Sequence, residues 1–238
     1  MRRPEAILFD LWGTLISSEG FDPGLGNGAV LTRCDNPRGV TLDQVQELGN
    51  RVMSALDGRE DQSALEFTQA ALLRIIADSF DLRFHSAMEE MEWQFWSAAL
   101  EVRLIDGVKE LLTLLQARGI RMGVVSNSSF SGRTLERELE RHGILGQFEF
   151  VISSADYGIR KPDPIIFEVA LRRLGIDAAR AWFAGDNVGY DIIGAMSAGI
   201  FPVAFNPRAP IPESIGAHAL ITRWSQLVPL VDQAPAAQ

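Results

Sequence analysis

The stretch Ile7-Leu8-Phe9-Asp10-Leu11-Trp12-Gly13-Thr14-Leu15 constrains this chain most tightly. An apolar run stops at a carboxylate, then a glycine and a hydroxyl follow. A short unbroken apolar run has the pattern of a parallel strand buried on both faces. In an open α/β sheet, ligands bind in the crevice beyond the carboxyl ends of the strands. Asp10 is therefore expected at a crevice and not stranded in a core. Taken alone, the same pattern also describes a strand that simply ends at an Asp turn.

The rest of the chain favours the crevice. After Leu104 the pattern alternates between helix and strand. Strands are expected at Ile120–Ser126, Phe148–Ser153, Ala181–Asp186, Ile200–Phe205 and Ala219–Thr222. Between them lie helices: one capped by Asp106 and closed by Gly119, then Gly132–His142, Pro164–Leu174, Tyr190–Ala198, and a last one from about Ser225, with Ala234–Gln238 expected to fray. Arg133 with Glu136 and Glu138 with Arg141 read as a solvated helix face. Such alternation predicts an α/β fold, a Rossmann-like parallel sheet covered by helices on both faces.

Between the first strand and Leu104 the pattern differs. Ser17–Val40 is rich in Gly, Asn, Asp and Pro and reads as a long loop. From Thr41 to Leu100 the period is helical. Thr41 and Gln44 form a capping box, and apolar stripes run through Ser63–Phe80 and Ser86–Leu100. The segment is expected to be an inserted all-helical unit. Its Trp and Met residues suit a packed interior better than a binding site. The expected domains are 1–15 with 104–238 as the core and 16–103 as the insertion.

In a parallel sheet the carboxyl ends of the strands share one edge. That edge would gather Asp10 and Thr14, Ser126 and Asn127, Lys161 from Arg160-Lys161-Pro162-Asp163-Pro164, and Asp186, Asn187 and Asp191 from Gly185-Asp186-Asn187-Val188-Gly189-Tyr190-Asp191. Carboxylates brought together need a cation between them, or one must hold a proton. Mg²⁺ fits oxygen ligands from one or two carboxylates, with water and phosphate completing the shell. A hydroxyl, backbone N–H groups and one ammonium can hold a phosphate-like group.

These motifs, in this order and with a helical insertion after the first, resemble the haloacid dehalogenase superfamily from Ile7 to about Phe205. The resemblance implies that Asp10 is the nucleophile of a covalent aspartyl intermediate. It implies that Ser126 hydrogen-bonds the transferred group, that Lys161 neutralises charge on it and on Asp10, and that Thr14 bonds within the first turn. Asp186 would ligate Mg²⁺ together with Asp10 and the backbone carbonyl of Trp12. Asp191 would support the site by orienting Lys161 or a metal-bound water. Asn127 and Asn187 are expected to bind substrate, a small phosphorylated metabolite. The insertion would act as a cap that closes over the site, with Gly20–Gly28 letting it move.

One position departs from the family's phosphatases. They carry a second aspartate two residues after the nucleophile, the general acid and base. Here Trp12 stands there, and indole cannot exchange a proton in that role. L-2-haloacid dehalogenases also lack that aspartate and place an aromatic residue there, but need no metal. Phosphonoacetaldehyde hydrolases use a cap lysine, and residues 16–103 contain none. Three readings stay open: a Mg²⁺-dependent phosphatase, a dehalogenase, and a non-catalytic binding relative.

Composition removes other classes. The formal charge of −9 argues against a nucleic-acid partner. No apolar stretch is long enough for a membrane span. The lone Cys34 permits no internal disulfide, and Asp10 interrupts the first apolar run too early for a signal peptide, so the cytoplasm is the expected setting. His85, His142 and His218 show no ligand spacing. Arg33 and Arg38 are candidates for reaching an anionic substrate from the cap. Oligomeric state leaves no trace in the sequence.

Overall fold

The computed structural model describes residues 2–56, 65–206 and 218–235. The expected helix start at Ser63 and the last residues of the expected frayed end lie outside them. In chain order the strands are β1 (Ala6–Phe9), β2 (Ile16–Phe21), β3 (Cys34–Asp35), β4 (Arg83–Phe84), β5 (Leu100–Leu104), β6 (Arg121–Ser126), β7 (Val151–Ser153), β8 (Ala181–Gly185), β9 (Phe201–Phe205) and β10 (Ala219–Ile221). The α-helices are α1 (Pro23–Leu31), α2 (Leu42–Leu56), α3 (Gln69–Phe80), α4 (Met88–Ala99), α5 (Val108–Ala117), α6 (Gly132–Arg141), α7 (Ser154–Tyr157), α8 (Pro164–Leu174), α9 (Gly194–Ser197) and α10 (Leu227–Gln233). None of the described helices is long and apolar enough to cross a membrane.

The main sheet has the order β10-β9-β8-β1-β6-β7 with every pair parallel. This is the expected Rossmann-like α/β architecture. β1 lies between β6 and β8, where the chain order reverses, the position at which such sheets open a crevice. The two faces of β1 explain its unbroken apolar run. Ile7 and Phe9 enter one core cluster with Leu111, Leu135 and Trp224, whereas Ala6 and Leu8 enter another with Phe167 and Phe183. All four are fully buried.

The sequence pattern misplaces several local features. Asp106 makes no cap, because Gly107 takes that position in a left-handed conformation. The helix expected at Tyr190–Ala198 is a π-helical turn, Val188–Ile193, followed by α9. Ser17–Val40 is not a loop. It forms β2, then α1, which Asp22 caps by accepting from the Gly24 and Leu25 amides, then β3. Two glycines of α1 sit in close packing: a Cβ on Gly26 would stand 2.7 Å from the Phe95 ring of α4, and one on Gly24 would stand 2.4 Å from Gln46 Nε2.

Nor is the inserted segment purely helical. β2 pairs antiparallel with β5, and β3 with β4, so short ladders tie its ends and its middle. The capping box at Thr41 is present: its amide donates to Gln44 Oε1 at 2.9 Å, and the Gln44 amide returns to Thr41 Oγ1 at 3.4 Å.

The segment meets the rest of the chain through buried polar groups. Glu92 of α4 accepts from the Ser131 amide, the Ser131 hydroxyl and the Thr134 hydroxyl at the start of α6. The Trp96 indole N–H donates to Glu138 at 2.8 Å. Glu138 is therefore buried beneath α4, and only the Arg133–Glu136 pair lies on the solvated face expected of α6.

Candidate active site

The carboxyl ends of β1, β6 and β8 bring the expected residues together. Asp10 follows β1, and its amide continues the ladder by donating to the Ala184 carbonyl at 2.9 Å. Ser126 ends β6 and is fully buried. Asp186 follows β8, and Asp191 lies in the π-helical turn beyond it. Lys161 reaches in from the segment after β7. Its ammonium donates to Asp10 Oδ1 and to Asp191 Oδ1, both at 2.7 Å. Lys161 and Asp191 are each 1% exposed, so this is a buried ion triad.

Local chemistry holds these groups in place. Asn127 clamps the Lys161 backbone: its Oδ1 accepts from the Lys161 amide at 2.8 Å, and its Nδ2 donates to the Lys161 carbonyl at 2.9 Å. Asp191 Oδ2 accepts from the Asn187 amide at 2.9 Å. A Cβ on Gly185 would stand 2.4 Å from Asp191 Oδ2, so only glycine lets Asp191 sit against the end of β8. Asn187 caps the following turn by accepting from the Tyr190 amide at 2.9 Å. The side chains of Asn127 and Asn187, expected to contact substrate, make these hydrogen bonds to backbone.

The electrostatics follow from burial. Desolvation by itself would lower the Lys161 pKa, but Asp10 and Asp191 outweigh it, and the net shift is upward. Desolvation raises Asp191 to about 7, against the pull of Lys161 and with the charge of Asp10 adding to the rise. Three buried carboxylates, Asp10, Asp186 and Asp191, each offer an oxygen within 4.8 Å of the others. This donor set suits a hard divalent cation. Thr14, four residues after Asp10, has its Oγ1 buried with no hydrogen-bond partner. Its carbonyl accepts from the Trp224 indole at 3.2 Å.

Trp12 is half-buried and packs against Trp96 of α4, with ring centroids 5.4 Å apart. The position of the family's usual acid is thus a contact between the sheet edge and the inserted segment. Arg33 donates to the Ala29 carbonyl of α1, and Arg38 pairs with Asp81 at the surface. Neither contact points to a substrate role. A cavity of about 520 Å³ opens beside the site, between the inserted segment and the sheet edge. It includes Asn127 and Arg160, sequence neighbours of Ser126 and Lys161. Sequence reasoning missed the cavity's polar lining, which includes Asn27, Gln46, Asn50 and Gln69, and missed the buried Glu92 and Glu138.

A buried carboxylate, lysine and serine at the switch point of a parallel sheet, with further carboxylates alongside, define a hydrolase-type site on a Rossmann-like fold. The family profile of haloacid dehalogenase-like hydrolases matches residues 4–199, and the chain belongs to that family. It is 28% identical over 204 residues to a glyceraldehyde 3-phosphate phosphatase of Methanothermobacter thermautotrophicus, covering 85% of each chain. It is 30% identical over 239 residues to a phosphoglycolate phosphatase of Rhodospirillum rubrum, covering 94% of this chain and 89% of the other. Among solved structures, a 2-haloacid dehalogenase from Pseudomonas syringae pv. Tomato DC3000 superposes with a TM-score of 0.63 at 25% identity, covering 96% and 97% of the two chains.

Proposed function

We propose that the protein is a Mg²⁺-dependent phosphatase of a small phosphate monoester, with Asp10 as nucleophile. One observation carries the reading: Asp10 is ion-paired to Lys161 and shares a buried cluster with Asp186 and Asp191. A dehalogenase that works without metal has no use for Asp186 in such a cluster. The phosphatases among its relatives support the same choice.

Asp10, Asp186 and the Trp12 carbonyl would hold the ion, with Asp191 in the same cluster. When bound, the ion supplies positive charge to the transferring phosphoryl group. An Asp10 carboxylate oxygen attacks phosphorus. The bond to the ester oxygen breaks, and its electron pair departs with the leaving alcohol. Lys161 and Ser126 hold the charge that develops on the phosphoryl oxygens. Water then attacks the phosphorus of the aspartyl phosphate, releasing phosphate and restoring the carboxylate. The proton for the leaving oxygen comes from solvent or substrate, because Trp12 has none to give.

Residues 16–103 act as the cap over this edge, and residues 1–15 with 104–238 as the core. The proposed setting is the cytoplasm, with no nucleic-acid partner.

The test is an assay of phosphomonoesters and 2-haloacids with and without Mg²⁺. Metal-dependent phosphate release is expected. Metal-independent halide release would replace this reading with the dehalogenase, and release of neither product would leave a binding protein.

A further inference from the structure

The inserted segment meets the rest of the chain at a second place, and one carboxylate stands at its centre. Residues 65–69, which lead into α3, run along the two segments that follow β6 and β7. Leu65 forms an antiparallel bridge with Ile159. The Glu66 amide donates to the Gly158 carbonyl at 3.2 Å, and the Gln69 amide to the Ser129 carbonyl at 2.8 Å.

The Glu66 side chain is only 4% exposed. Taking a carboxylate out of water is costly unless charge and hydrogen bonds compensate. Glu66 Oε2 accepts from the Ser154 hydroxyl at 2.6 Å and faces Arg160 Nε at 3.6 Å. Each partner leads to the site. Ser154 Oγ accepts from the Ser128 amide at 2.9 Å, and Ser128 Oγ accepts from the Phe130 amide at 3.1 Å. Donation to Glu66 thus keeps a Ser154 lone pair turned to Ser128, in the segment that carries Ser126. Arg160 precedes Lys161, and its guanidinium lies 5.7 Å from the centre of the Tyr190 ring, beside Asp191.

We infer that Glu66 is a positioning residue: from the inserted segment it holds the two segments that carry Ser126 and Lys161, so that docking of the insertion completes the placement of both groups. The inference goes beyond the phosphatase reading, because it concerns how these groups are held and not what they hold. Glu66 also lines the cavity, so the rival role is a contact with substrate. The two roles move different kinetic constants.

The first test needs no substrate. In hydrogen exchange of the full chain, the Ser128 and Phe130 amides are expected to lose protection by about tenfold or more in Glu66→Leu, while the amides of β9 keep theirs. The second is steady-state kinetics with Mg²⁺ and an activated aryl phosphate. Glu66→Leu is expected to lower kcat by about tenfold or more and to change KM by less than about twofold, since small misplacements near the chemistry are costly. Ser154→Ala is expected to lose part of that kcat, and the double variant no more than Glu66→Leu alone, because the two residues act through one contact. Circular dichroism checks the fold. Should Glu66→Leu fail to fold, Glu66→Gln keeps an acceptor for Ser154 and drops the charge facing Arg160; about threefold lower kcat at unchanged KM is expected of it. Unchanged kcat in a folded variant, a loss carried by KM, additive losses in the double variant, or unaltered exchange would overturn the assignment. Absence of phosphate release by the wild type would overturn the phosphatase reading alone, and the exchange experiment then decides this inference.

Discussion

Lys161 illustrates how few groups the site needs and how tightly each is bound to the others. Its ammonium bridges Asp10 and Asp191, and Asn127 grips its backbone at both ends. Lys161→Met removes the cation from a buried pair of carboxylates. We expect kcat to fall by roughly 10² or more, and stability to fall by about 3–5 kcal/mol, because breaking a buried ion pair strands the partner charge. Asn127→Leu removes the bonds that hold the Lys161 backbone. It is expected to lower kcat more than it raises KM, which separates a positioning residue from one that binds substrate. Trp12 makes the opposite kind of prediction. Without a general acid, the rate should depend steeply on leaving-group quality, since such assistance is worth about 10²–10⁴-fold. Trp12→Asp should flatten a leaving-group series, at the cost of the contact with Trp96. The carboxylates and the lysine were legible in the sequence because each follows a strand with an unmistakable apolar run. The backbone hydrogen bonds of Asn127 and Asn187 were not. An amide bonding backbone and an amide facing substrate look the same in one dimension.

At the level of elements, the joint between α4 and α6 was the least readable part. Glu92 interrupts the apolar stripe of Met91, Phe95 and Trp96, and that interruption is the one available signal that it is buried. What it bonds, the start of α6, lies far along the chain. Burial raises the Glu92 pKa against the bonds from Ser131 and Thr134, and Asp156 nearby adds to the rise. A raised native pKa means that the folded state binds the proton more tightly than the unfolded chain. The stabilisation is complete below the ordinary glutamate pKa and is lost as pH rises through the raised value. Glu92→Gln, which stays neutral, should therefore gain stability relative to the wild type between acidic and neutral pH. Urea midpoints across that range measure it, and a constant difference would contradict the assignment. The glycine-rich segment was read as a loop, and its strands and helix were not legible. Glycine signals freedom in a loop, yet in α1 it permits the close approach of α4. Gly26→Ala should cost about 1–3 kcal/mol by overpacking Phe95. The amides of α1 from Gly26 to Leu31 should be protected from hydrogen exchange even without ligand.

For the whole molecule, the sheet was readable and the chemistry only partly so. Alternating apolar runs and helical stripes specify a parallel sheet almost by themselves, because each strand must be covered on both faces. Fold does not fix reaction, however, and this fold also supports a 2-haloacid dehalogenase with a TM-score of 0.63 to this chain. The distinction rests on how a few oxygen atoms meet at one edge of the sheet. The cavity beside the site is assembled from β2, α1, α2, α3, α4 and the segments after β6 and β7, which only the folded chain brings together. The central claim is that Asp10 attacks phosphorus. Trp12 also deprives the second step of its base, so the phosphorylated enzyme should accumulate during turnover. The most direct measurement is therefore acid quenching of the working enzyme with an activated aryl phosphate and Mg²⁺, followed by peptide mapping by mass spectrometry. The account predicts a phosphoryl group on the peptide that holds Asp10, absent in Asp10→Asn. Phosphate release with no phosphorylation at Asp10, or with the group on another residue, would contradict it.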